Sequence, residues 1–249
     1  MRGLARGVAI LSLLAQGCAT VSVERESPPG VGRLASHKGR PGLVIGAPHG
    51  TTDEYTDRIS ADLARRTGFG LVVATGYGDL DGRRRRLNVN RPTEGVPGGS
   101  AGEEVYTESA RAVYEAYLSR VREVAQGPLD LYVEVHGNVR PESAGRIEIA
   151  TVGVSREDAW RLRALLELLR DAHLGEDSNV PRLEVLVEPL DRLYWTASAV
   201  KQVGILRLPR QAIHVELPRA ARTLGREVYT DVLTEFLTEA SRLLLSEGR

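Results

Sequence analysis

Residues 43–50 read LVIGAPHG. An apolar run this short, bounded by glycine and proline, has the length and composition of a buried strand rather than a helix. Residues 55–67 follow with Ile59, Leu63 and Ala64 at helical spacing and close on Gly68, and residues 71–75 (LVVAT) form a second buried run. The alternation continues outward. A helix is predicted over 105–125, with Val113, Tyr117, Val121 and Val124 on one face, then strands at 129–135 (LDLYVEV) and 146–152, a helix at 156–173, strands at 183–187 and 212–217, and a closing helix at 226–245. Strands alternating with helices predict a three-layer α/β fold: a mixed, mostly parallel central sheet with helices on both faces. Residues 76–104, rich in Gly and Arg, read as a long loop, and a loop of that length in a compact domain is usually functional.

The composition fits one such domain. In 249 residues, 42% are hydrophobic, enough to build a sizeable core. Basic and acidic residues balance at 33 each, which argues against a nucleic-acid partner, including one bound through the run Arg83–Arg86. All the basic residues but Lys38 and Lys201 are arginine. A single cysteine excludes an internal disulfide framework and a multi-Cys metal site, so any metal must be held by His, Asp and Glu.

That cysteine, Cys18, closes an N-terminus with Arg2 and Arg6, an apolar run over 8–15 and then small residues. The layout is that of a secretory signal, and LLAQGC resembles a bacterial lipobox. The expectation is a signal peptide over 1–17, a lipid on Cys18 that tethers the chain to the membrane, a loose arm over 18–41 and a single catalytic domain over 42–249. The corresponding location is the bacterial cell envelope, at the outer membrane facing the periplasm.

In open α/β sheets ligands bind beyond the carboxyl ends of the strands. Three predicted strands end in metal-competent residues: Pro48-His49-Gly50, His136-Gly137-Asn138 and His214-Val215-Glu216. Asp53 lies four residues after His49 and Glu54 five. A catalytic zinc takes three N or O ligands and leaves one position open. His49, a carboxylate from the same loop and the distant His136 supply such a set, with Asp53 preferred and Glu54 the alternative. In IHVEL, His214 and Glu216 share one face of a strand and Ile213, Val215 and Leu217 share the other. A carboxylate projecting from a buried strand is expensive unless paired or functional, so Glu216 is the candidate general base and His214 a supporting residue. Glu134 shares a face with His136 and is a candidate hydrogen-bond partner behind it. Asn90 and Arg91, stiffened by Pro92, form a pair suited to a substrate carboxylate. Tyr194 is placed either against substrate or in aromatic packing. No G-x-S-x-G nucleophile elbow is present; Gly99-Ser100-Ala101-Gly102 lacks the spacing.

PHG with Asp53 and Glu54, NVNRP, VEVHGN and a late strand glutamate together resemble the N-formylglutamate amidohydrolase-like family, a branch of the zinc carboxypeptidase-like, or phosphorylase/hydrolase-like, fold. The resemblance runs from about residue 43 to 220. It implies one zinc ion held by His49, a carboxylate and His136, an Asn90–Arg91 grip on a substrate carboxylate, and Glu216 as base. The wider fold places a glutamate three residues after the first histidine, where this chain has Thr52. The implied activity is hydrolysis of an amide in a carboxylate-bearing N-acyl amino acid or peptide. The alternative is a non-catalytic envelope lipoprotein that binds a peptide or protein on the same fold.

Overall fold

A computed structural model describes residues 24–26, 32–50, 52–78, 86–96, 98–100, 102–175 and 179–246. The predicted signal peptide and Cys18 lie outside the described residues. In chain order the elements are β1 (Glu24–Glu26), β2 (Arg33–His37), β3 (Arg40–Ala47), α1 (Thr56–Thr67), β4 (Phe69–Thr75), β5 (Thr93–Gly95), β6 (Glu104–Tyr106), α2 (Glu108–Ala125), β7 (Leu131–Asn138), β8 (Arg146–Val152), α3 (Arg156–Leu174), β9 (Glu184–Val187), α4 (Ser198–Val203), β10 (Gln211–Pro218), α5 (Arg219–Arg222) and α6 (Arg226–Ser246).

Eight strands form one mixed sheet in the order β1-β2-β4-β3-β7-β10-β8-β9, and β5 and β6 form a separate ribbon. The four central strands, β4, β3, β7 and β10, are parallel; β2 runs against both its neighbours, and β8 runs against β10 but parallel to β9. After β3 the chain passes through α1 to β4 on one side, then through α2 to β7 on the other. The strand order therefore reverses between β3 and β7. Their carboxyl ends diverge there and open the crevice in which α/β proteins bind ligands.

Alternation along the central strands sorts side chains to the two faces. Leu43, Ile45, Leu131, Val133, Val135, Ile213, Val215 and Leu217 point into a core completed by α1, α3 and α6. Val44, Tyr132 and Ala212 point into a second core against α2, with Val113, Tyr117 and Val121. The even-numbered polar residues of β7 and β10 therefore share the α2 face. Gly46 leaves room on that face. A Cβ there would lie 2.1 Å from the Tyr132 hydroxyl and 2.5 Å from that of Tyr117, which are hydrogen-bonded to each other at 2.9 Å.

The helices start and stop for local reasons. Thr107 caps α2 by accepting from the Ala110 N–H, so that helix begins at Glu108 and not at 105, and residues 104–106 pair with β5. Ser155 caps α3 in a reciprocal pair with Asp158. Gly68 ends α1 in the left-handed conformation that a residue with a side chain rarely adopts.

The domain begins earlier than the boundary at residue 42. The predicted arm contains β2, which pairs antiparallel with β4 from Arg33↔Thr75 to His37↔Leu71, and β1 pairs with β2. In RLASH only Leu34 and Ser36 point inward. One apolar residue gives no periodicity to read, whereas the unpaired edge of β4 demands a partner. Strand β7 also runs on to Asn138, so His136 lies within a strand rather than after it.

Candidate active site

A cavity of about 400 Å³ opens at the carboxyl ends of β3, β7 and β10, and His49, Asp53, Asn90, Arg91, His136 and Glu216 all line it. His49 leaves β3 on a turn in which the Asp53 N–H donates to the His49 carbonyl at 2.8 Å. This i to i+4 closure brings the side chains at 49 and 53 together. The turn is fastened to β4 by Gly50 N–H to the Ala74 carbonyl, 3.0 Å, and to α1 by the Thr56 hydroxyl on the Asp53 carbonyl, 2.8 Å.

Asp53 Oδ2 lies 3.5 Å from His49 Nδ1 and 3.3 Å from His136 Nδ1. Bonds of about 2.0–2.1 Å at tetrahedral angles separate neighbouring ligand atoms by about 3.3–3.4 Å. The two observed distances from Asp53 match that spacing, and one ligand atom from each of the three residues lies within 4.8 Å of the others. The Gly137 N–H donates to the same Asp53 oxygen at 3.1 Å, which orients the carboxylate. Glu54 stands outside the group and faces Arg219 at 3.3 Å.

Behind this group lies a second one, Glu134, His136 and His214. Glu134 is fully buried; its Oε2 lies 3.0 Å from His214 Nδ1 and 3.1 Å from His136 Nε2, and its Oε1 accepts from Asn90 Nδ2 at 3.2 Å and from Tyr132 at 3.4 Å. A buried carboxylate ringed by donors is a hub that orients them, and a carboxylate behind a ligand imidazole fixes its ring. His214 in turn places Nε2 3.3 Å from Glu216 Oε1, while Asn138 Nδ2 lies 3.4 Å from Glu216 Oε2. The parallel register of β7 and β10 sets this up by placing Glu134 beside His214 and His136 beside Glu216.

The electrostatics favour a cation. Burial disfavours charge on Asp53 and Glu134, yet the imidazoles around them hold both carboxyls well below the usual range. Burial also opposes a proton on His136, but Glu134, Asp53 and Glu216 outweigh it and raise the pKa to about 10. Burial dominates at His49 and lowers its pKa. His49 Nε2 is buried without a hydrogen bond, while His136 Nε2 faces the Glu134 carboxylate. A negative, imidazole-lined cluster of this spacing fits a small divalent ion.

Asn90 and Arg91 reach the cavity with their polar groups engaged. Arg91 grips Glu104 through Nε, at 2.8 Å, and Nη2, and donates from Nη1 to Asn90 Oδ1 at 3.1 Å. Desolvation opposes the Glu104 charge, but Arg91, Thr93 and Arg86 overcome it and hold the carboxyl at about 2. A folded-state pKa below the unfolded one gives stability that is complete above about pH 4.5 and drains away as pH falls towards about 2. Glu104→Gln should remove this part of the acid dependence. In urea unfolding at several pH values, the gap between wild type and variant narrows from pH 5 to pH 3; a constant gap sinks the assignment.

Three contributors escape a reading of the sequence. Arg86, the last of the four consecutive arginines, lines the cavity rather than a solvated face. Arg222, 1% exposed, donates to the backbone carbonyls of Leu217, Glu54 and Asn138, and so ties the ends of β10 and β7 to the His49–Asp53 turn. Glu148 is fully buried, accepts from the N–H groups of Tyr194 and Trp195 at 2.9 and 2.8 Å and from the Ser143 hydroxyl at 3.0 Å, and pins the 194–195 wall of the cavity. Nothing in the local sequence marks any of the three, and only the tertiary neighbours give each a task.

No protein-family model and no curated protein matches this chain. Among solved structures, a bacteriophage poly-gamma-glutamate hydrolase aligns with a TM-score of 0.53 at 13% identity, covering 89% of this chain and 93% of that one. A metallo-carboxypeptidase from Pseudomonas aeruginosa aligns at 0.45 with 15% identity, over 85% of this chain and 61% of that one. Another from Burkholderia cenocepacia aligns at 0.44 with 12% identity, over 94% and 67%. The likeness to the first of these, at 13% identity, shows the fold alone: a mixed, mostly parallel α/β sheet.

Proposed function

We propose that this chain is a zinc-dependent amidohydrolase that cleaves an amide in a carboxylate-bearing N-acyl amino acid or peptide, the chemistry implied by its resemblance to the N-formylglutamate amidohydrolase-like family. One observation carries the reading. His49 Nδ1, Asp53 Oδ2 and His136 Nδ1 converge at ligand spacing on the cavity that Glu216 also lines. The cavity is of a size that suits a small molecule or the end of a peptide.

His49, Asp53 and His136 would hold the ion, which when bound supplies Lewis-acid polarisation of water and of the amide carbonyl. Glu216 accepts the proton of the attacking water and returns it to the nitrogen as the C–N bond breaks, leaving a carboxylic acid and an amine. His214 and Asn138 hold its two oxygens in place for both transfers. Arg86 lines the same cavity and supplies positive charge to the oxygen that gains it during attack. The lipid anchor at Cys18 completes the proposal and places the reaction in the cell envelope, where peptide or wall-derived amides are the accessible substrates.

Metal analysis of the purified chain, together with hydrolysis of N-formyl and N-acetyl amino acids, tests this. The expected result is close to one zinc per chain, activity lost on chelation and regained on zinc addition. Protein that neither retains nor takes up a divalent metal supports the peptide-binding alternative instead.

A further inference from the structure

We propose that the substrate carboxylate is received by Arg140 and the indole N–H of Trp195, and not by Asn90 and Arg91. This rests on the amidohydrolase reading and assigns its specificity to another wall of the cavity. Arg91 has its Nε and Nη2 on Glu104 and its Nη1 on Asn90, while the Asn90 amide nitrogen is on Glu134. To grip a ligand, this pair would have to give up a part-buried ion pair and uncover the hub carboxylate.

Arg140 stands differently. It follows β7 on the exposed loop that leaves the site, it lines the cavity, and among the described residues no carboxylate pairs with it. Its guanidinium lies 5.7 Å from the ring centroids of both Tyr194 and Trp195. Contact with aromatic rings steadies a guanidinium while leaving its in-plane N–H groups free, and those groups match the two oxygens of a carboxylate. Trp195 lines the same cavity, and its Nε1 is buried with no acceptor. A buried donor left unsatisfied costs about 1–3 kcal/mol, which a ligand oxygen recovers. Glu148 holds the backbone N–H groups of Tyr194 and Trp195, so the wall is built before any ligand arrives. An acid entering a cavity that already contains Asp53 and Glu216 needs a fixed positive partner, and Arg140 is one whose charge is not already shared with an acid.

The chain has two tryptophans, and Trp160 sits exposed on α3, so Trp160→Phe leaves Trp195 as the only indole reporter. Metal-free full-length protein in this background is titrated with N-acetylglycine and with N-acetylglycinamide, which differ only in the carboxylate. The acid is expected to bind at least about tenfold more tightly than the amide. Arg140→Gln should erase that preference, Trp195→Phe read by calorimetry should reduce it, and Arg91→Lys should preserve it. A preference that survives both Arg140→Gln and Trp195→Phe overturns the proposal, as does one lost in Arg91→Lys alone. Acid-selective binding that needs Arg140, in a chain that hydrolyses no N-acyl amino acid, would remove the amidohydrolase reading and keep the subsite. Hydrolysis with a KM for acid substrates that Arg140→Gln leaves unchanged would do the reverse.

Discussion

Glu216→Gln is expected to lower kcat by about 10²–10⁴-fold, the usual contribution of a positioned general base, while metal content stays at the wild-type level. Glu216 is buried, with one oxygen 3.3 Å from His214 Nε2 and the other 3.4 Å from Asn138 Nδ2. Glutamine has the same shape and keeps one acceptor oxygen, so packing survives, but it cannot take up a proton. The metal readout is what makes the variant informative. Its carboxylate is not among the groups with ligand spacing, so a base should be lost without loss of the ion. Turnover within a few fold of wild type would mean that another group moves the proton. Loss of metal along with activity would place Glu216 in the ion's own coordination sphere.

The parts of the fold visible in the sequence are those set by short-range pattern. Leu131, Val133 and Val135 alternate with Tyr132, Glu134 and His136, and that period of two alone puts Glu134 and His136 on one face. The same holds for His214 and Glu216. The helices over 156–174 and 226–246 follow in the same way from apolar periodicity. The site is legible one step further, because strand ends are where an α/β sheet binds its ligands. Adjacency of β3 and β7 is then enough to bring His49 to His136 across some ninety positions.

Pairing choices are not visible in this way. Nothing in NVNRP says that Arg91 will turn to Glu104, because that contact depends on a small ribbon, β5 with β6, whose strands have three residues each. Glu148 reads as one more charge on a strand until its neighbours show two backbone donors facing it. Strand β2 was hidden because its partner, the edge of β4, creates the demand for it. In each case the deciding interaction is with a residue far away in sequence, and only the folded chain names the partner.

The largest loss should come from Asp53→Ala, with metal affinity falling by about 10²-fold or more and hydrolysis falling with it, while Glu54→Ala leaves both within about twofold. Removing groups that merely orient ligands already costs about 10–100-fold in affinity, and Asp53 is in a stronger position. Its Oδ2 lies within 3.5 Å of both Nδ1 positions, and the Gly137 N–H fixes its direction. The surrounding imidazoles hold the carboxyl well below its ordinary range against the cost of burial, so it is ionised at any physiological pH. Glu54 is the neighbouring carboxylate in sequence, but the next position along the turn points it to Arg219 at the surface. The rival location for an ion is the inner group of Glu134, His136 and His214. It shares His136 and would leave Asp53 a bystander. Two features count against it: Glu134 is fully buried, and its oxygens already face His214, Asn90 and Tyr132. Of this group only His136 and His214 line the cavity, so an ion that also takes Glu134 would sit deeper than one held by Asp53. Metal titration of Asp53→Ala beside Glu134→Gln separates the two. Retention of metal by Asp53→Ala with loss in Glu134→Gln would move the ion inward and leave Glu216 without a polarised water to deprotonate.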